Sequence, residues 1–147
     1  MKTSVSELIG PALDLAVAMA EGMSWWTRSN AKWDTNDGYT DWILDKDGVL
    51  KRFYFDGSCS RAGHWEVIET FKPSTDGNRG VLIIEREGIS VIQYPDPEWG
   101  AQRWGKNDNV YGPTFLITAM RCFVASKLGK TVDIPFTVED TLKEKNT

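Results

Sequence analysis

One histidine and two cysteines in 147 residues leave little from which to build a transition-metal site. The cysteines, Cys59 and Cys122, lie far apart, so the disulfide framework of a small secreted domain is excluded and two reduced thiols are expected. Glycine-rich phosphate-binding motifs are absent. Long apolar runs are missing too: Leu15–Ala20 is far too short to span a bilayer, and Glu7 and Asp14 interrupt what could pass for an export signal. There is no excess of positive charge. A formal net charge of -4 and a pI near 5.0 exclude general affinity for duplex DNA, which rests on neutralised phosphates. The reading is a chain of the cytosol with no membrane segment.

What is present suits one globular domain: 41% hydrophobic and 26% charged residues, in a length sufficient for a core. Pro11–Glu21 is apolar nearly all round, opens on Gly10-Pro11 and stops at Gly22, which predicts a helix buried on most sides. Ser4–Glu7 fits either a capping box or a short strand. Met23–Asn36 has no clean period and is read as loop with room for a short strand. Tyr39–Leu44 and Val49–Phe55 predict a hairpin about Asp45-Lys46-Asp47-Gly48, followed by a strand over His64–Phe71. Pro73–Gly80 reads as loop. The β-branched run then predicts a second hairpin, Val81–Arg86 with Ile89–Tyr94, turning at Glu87-Gly88. Pro95–Gly112 reads as a long loop. Pro113–Leu128 predicts the second helix, with Lys127 placed to complement its dipole. Val132–Ile134 adds an edge strand. The fold class is α+β: one domain, a mainly antiparallel sheet of two or more hairpins, and two helices at about 11–21 and 113–128.

Candidate chemistry is sparse. Asp34–Gly38 resembles a calcium loop, but its glycine is out of register and the closing glutamate is missing, so a solvated turn is the better reading. No metal and no cofactor is implied. Cys59 and His64 could form a thiol–base pair in a hydrolase, but no orienting third group is identifiable, and a non-enzymatic protein is expected. Glu85 and Glu87 would share one strand face and read as a solvated hairpin end.

Tryptophan is the anomaly, with seven in the chain. Trp25-Trp26-Thr27-Arg28 through Lys32-Trp33, and Trp99 through Arg103-Trp104-Gly105-Lys106, mix rings with cations, a combination suited to stacking on a base while pairing with a phosphate. Trp42 and Trp65, on predicted strands, read as core instead. Thr114, after Gly112-Pro113, stands where a helix N-terminus could hold an anion or where a threonine simply caps the helix.

Three blocks carry a resemblance. Val5-Ser6-Glu7-Leu8 with Gly10-Pro11-Ala12-Leu13-Asp14, Ser74-Thr75-Asp76 with Ile83-Ile84-Glu85-Arg86-Glu87, and Gly112-Pro113-Thr114 running through Arg121-Cys122 to Leu128-Gly129 resemble the NinX-like accessory proteins of tailed bacteriophages. Gly77 stands where the family pattern has an aromatic, and Phe115 where it has a second proline. The resemblance implies a single NinX-like domain over 1–139, with a divergent or inserted hairpin segment near 25–66 and a frayed charged tail at 140–147. It implies a phage accessory protein acting in the host cytoplasm and carries no assigned activity.

The expectation is a binder of a small anionic, nucleotide-like ligand, with sequestration of a host antiphage signal as its use. Its site would draw on Trp33, Ser74, Thr75, Asp76, Trp99, Arg103, Trp104, Thr114 and Arg121. Arg121 could instead pair with Glu85 or Asp76. The alternative is an inhibitor or adaptor docking on a host enzyme through the same tryptophans. A homo-oligomer is compatible with either.

Overall fold

A computed structural model describes residues 2–33, 38–56, 64–96, 98–103 and 109–134. The predicted tail and the centre of the calcium-like loop lie outside them. In chain order the elements are β1 (Lys2–Ser4), a 3₁₀ turn (Val5–Glu7), α1 (Gly10–Ala20), β2 (Trp26–Thr27), β3 (Ile43–Leu44), β4 (Leu50–Asp56) and β5 (His64–Phe71). There follow α2 (Gly77–Glu87), β6 (Ile89–Tyr94), β7 (Glu98–Arg103), β8 (Val110–Gly112), α3 (Phe115–Leu128) and β9 (Thr131–Asp133). The class is α+β as expected, but three α-helices rather than two occur among the described residues.

The extra helix corrects the second predicted hairpin. Val81, Ile83 and Ile84 favour a strand locally, yet Asp76 caps the segment by accepting from the Asn78 amide at 3.1 Å. Gly88, at φ 64°, closes it in the left-handed conformation. Gly80, Ile83, Ile84 and Glu87 then form one inward stripe at helical spacing. Gly80 is required there, because a Cβ would lie 2.6 Å from Leu116 of α3. Packing against α3 outweighs the strand preference. Glu85 and Glu87 therefore lie on a helix and not on a strand face: Glu85 is exposed, Glu87 is not.

Three sheets arise. β1 pairs antiparallel with β9; β2–β3–β4–β5 form a four-stranded sheet with a parallel β2–β3 step; β6–β7–β8 form an antiparallel meander. The meander corrects the long loop predicted over 95–112, most of whose described residues are strand. Glycine and tryptophan in Glu98–Arg103 masked its alternation: Trp99, Ala101 and Arg103 are less exposed than Glu98, while Gly100 is buried beneath tyrosine rings. The predicted strand 39–44 shrinks to Ile43–Leu44 plus an isolated bridge from Tyr39 to Tyr54.

α3 is the axis of the core. Thr118–Val124 is buried without a break, because α1 packs on one side of the helix, α2 on another and the meander on a third. Leu13–Ala18 of α1 is likewise fully covered. Each large apolar side chain so buried contributes about 1.5–3 kcal/mol. The β4–β5 hairpin carries a separate aromatic cluster: Trp33 meets Phe53 at 5.3 Å and Trp65 at 5.2 Å between ring centroids, and Phe55 meets Trp65 at 5.1 Å. No helix among the described residues is long and apolar enough to cross a membrane.

Candidate functional site

The site grows from Gly112-Pro113-Thr114. The Thr114 hydroxyl accepts from the Ile117 amide at 3.2 Å, the cap that the sequence offered as the plainer role for this residue. Starting there, α3 brings Arg121 two turns later against the edge strand β8. The Arg121 Nε donates to the Leu8 carbonyl at 2.9 Å, and Nη1 donates to the Tyr111 carbonyl at 2.9 Å. Arg121 thus stitches the segment before α1 to the meander, instead of pairing with Glu85 or Asp76. Gly112 makes room for this: a Cβ would sit 2.6 Å from Thr118 Oγ1 and 3.3 Å from Arg121 Nη1.

Arg121 is only 7% exposed, and no carboxylate pairs with it among the described residues. Burial alone lowers its pKa from the usual arginine value. A buried guanidinium satisfied only by neutral carbonyls keeps an unneutralised positive charge and unspent donors.

Those donors border a cleft of about 880 Å³ lined by Ser4–Ser6, by Asn109–Pro113 and by Arg121, Cys122 and Ser126 of α3. Ligand pockets commonly fall in this size range. Arg103, Lys130 and Glu98 also line it. Arg103 is held from behind by Glu87: its Nε donates to the Glu87 carbonyl at 3.3 Å, and Nη2 lies 3.2 Å from the carboxylate. Arg86 and Lys127 approach the same carboxylate at 2.9 and 3.3 Å, so cations outnumber anions here although the whole chain is acidic. Burial pushes the Cys122 thiol up to about 11, which leaves it a protonated apolar filler and a poor nucleophile.

Of the residues singled out in the sequence, the cleft gathers Arg103 and Arg121, with Thr114 one residue beyond its lining. Trp99 lies edge-on against Phe115 at 5.8 Å. Trp33 belongs to the hairpin cluster, its Nε1 donating to the Arg28 carbonyl at 3.1 Å. Ser74 is buried against Asp14, Thr75 is exposed, and Asp76 caps α2. Trp104, Cys59 and the His64 side chain lie outside what the structure describes. Among the described residues no cluster of potential metal ligands occurs. Sequence reasoning missed Tyr111, Glu98, Ser6 and Lys130, which converge only through tertiary packing. The one local hint was a tyrosine directly before Gly112-Pro113.

The blocks used in this architecture match a family model, Bacteriophage P22, NinX, over residues 4–127. The chain belongs to the NinX family. Arg103, Arg121 and nearly all of α3 fall within the NinX match, whereas Lys130 lies beyond it. The NinX stretch also contains both halves of the Asp14–Ser74 contact. The search among curated proteins returns no match.

Proposed function

We propose that this phage accessory protein is a non-enzymatic binder of a small anionic, nucleotide-like ligand, taken into the cleft beside α3. The observation that carries this reading is Arg121: a buried cation without a carboxylate among the described residues, bordering a ligand-sized cleft. An oxyanion would supply the missing countercharge through charge-assisted hydrogen bonds to the guanidinium. Arg103 and Lys130 add positive charge along the same opening. In a phage setting such a protein would work by sequestration, with a signal of host antiphage immunity as the favoured ligand class.

The test is thermal unfolding of the full chain with a panel of mononucleotides, cyclic nucleotides and inorganic phosphate. A ligand at a hundred times its Kd stabilises by about 2.7 kcal/mol, which raises Tm by several degrees. Arg103→Gln with Lys130→Gln should shrink that rise. A flat response across the panel overturns the reading.

A second reading is docking on a host protein. It is favoured by the outer face of the meander, where Ile92, Tyr94 and Tyr111 are exposed together. Ile92→Ser would then weaken capture of the partner while leaving nucleotide-induced shifts in Tm untouched.

A further inference from the structure

We infer that two copies of this chain pair through β6, edge to edge and antiparallel, about a two-fold axis normal to the meander. β6 is the outermost strand of its sheet, with β7 on one side only. Among the described residues no other backbone hydrogen bond reaches Ile89–Tyr94, so its outer row of amides and carbonyls is open. Such an edge is a template for another strand.

The other sheet edges are guarded and this one is not. β2 has two residues, and β1, β8 and β9 have three each, which leaves little backbone to pair. β5 carries Glu66 and Glu69 and pairs with β4 across a bulge. β6 reads Ile-Ser-Val-Ile-Gln-Tyr, six residues in unbroken register without a charge or a proline. Shortness, charge and bulges are what keep an edge from pairing, and β6 has none of them. Ile92 is 57% exposed, and Ser90 and Tyr94 share its outward face.

Charge names the occupant as a second copy. Arg86 lies three residues before Ile89, and Arg103 stands opposite it. With Lys127 they outnumber Glu21 and Glu87, so this end of β6 is cationic. The Tyr94 end is acidic: Glu98 stands opposite Tyr94, and Asp96 follows in the turn. Neither acid has a cation partner among the described residues. Two copies laid antiparallel bring the acidic end of each beside the basic end of the other. With Ile92 opposite its own copy, Ser90 meets Tyr94 and Val91 meets Gln93. Asp96 then comes opposite Gly88 of the second copy, two residues from Arg86. This register sets outward residues against outward ones, as a two-fold axis normal to the sheet requires. The cleft lies along β8, at the far edge of each meander, and stays open in the pair.

The experiment is sedimentation velocity of the full chain and of Ile92→Lys, which sets like charges directly across the seam. Ile92 is exposed, so the fold is retained, and circular dichroism checks this. The expected result is a parent species of twice the 16.6 kDa chain mass and a twofold fall to the single-chain mass in Ile92→Lys. Cross-linking then fixes the geometry, in a Cys59→Ser background because Cys122 is buried. Ile92→Cys should join copy to copy through a short thiol reagent. Tyr111→Cys, about 24 Å from its copy across five strand spacings, should not. A monomeric parent overturns the inference and leaves this edge to the host protein of the second reading. A dimer that survives Ile92→Lys, or one joined at Tyr111 and not at Ile92, overturns it as well. The nucleotide reading is untouched by these outcomes, since the ligand-induced rise in Tm tests it separately.

Discussion

Asp14 of α1 accepts a hydrogen bond from the backbone amide of Ser74, 60 residues later, at 2.8 Å in the interior. The carboxyl is 5% exposed, and desolvation raises its pKa from 3.8 to about 6 against the opposing effects of Ser74 and Lys72. Two blocks of the NinX match, one on α1 and one before α2, are joined by this contact.

The first prediction concerns pH. Because the folded pKa lies above the unfolded one, the fold binds more protons than the unfolded chain between them, so stability falls as pH rises. The contribution is fully present below pH 3.8 and lost as pH passes about 6. At 1.36 kcal/mol per pH unit, it amounts to about 3 kcal/mol. Urea unfolding across this window should show the decline, and Asp14→Asn should flatten it. An unchanged slope in the variant would refute the assignment.

Gly112→Ala should destabilise the protein by about 1–3 kcal/mol through overpacking against Thr118. The same methyl would press on Nη1 of Arg121, so any ligand-induced rise in Tm should shrink as well. A neutral result in both measurements would mean that β8 yields at this point.

Thr114→Ala should cost about 1 kcal/mol by removing the α3 cap, whereas Thr114→Ser should restore nearly all of it. Ligand binding should be unaffected in either variant if the hydroxyl only caps the helix. A loss of affinity without a loss of stability would instead move Thr114 into the site.

Gly88→Ala tests the helix that replaced the predicted hairpin. Gly88 has φ 64°, a conformation in which an L side chain is strained by about 1 kcal/mol. A drop of that size in unfolding free energy is expected, with helical circular dichroism retained.

Much of the scaffold was legible in the residues. Gly10-Pro11 and Gly22 bracketed α1 to within a residue, and the β5 strand was read at its observed bounds, His64–Phe71. Local signals sufficed there because cap, stop and periodicity agreed. At α2 they conflicted: β-branched residues spoke for a strand and Asp76 with Gly88 for a helix, so the decision passed to Gly80 and Ile83 against α3. The meander strand β7 was hidden because an inward tryptophan and a glycine beneath two tyrosine rings do not alternate as hydrophobic and polar.

The candidate site divides in the same way. Composition and charge by themselves argued against transition-metal, membrane and duplex-DNA readings, and the sequence blocks carried the NinX resemblance. Sequence also put Arg121 on a helix and Thr114 at its start. Only the tertiary structure decided that Arg121 is buried on two carbonyls from Leu8 and Tyr111, 113 and 10 residues away. Solvation is the physical reason. A guanidinium on a helix looks alike in sequence whether water or protein surrounds it, and its missing countercharge exists only once distant segments have closed over it.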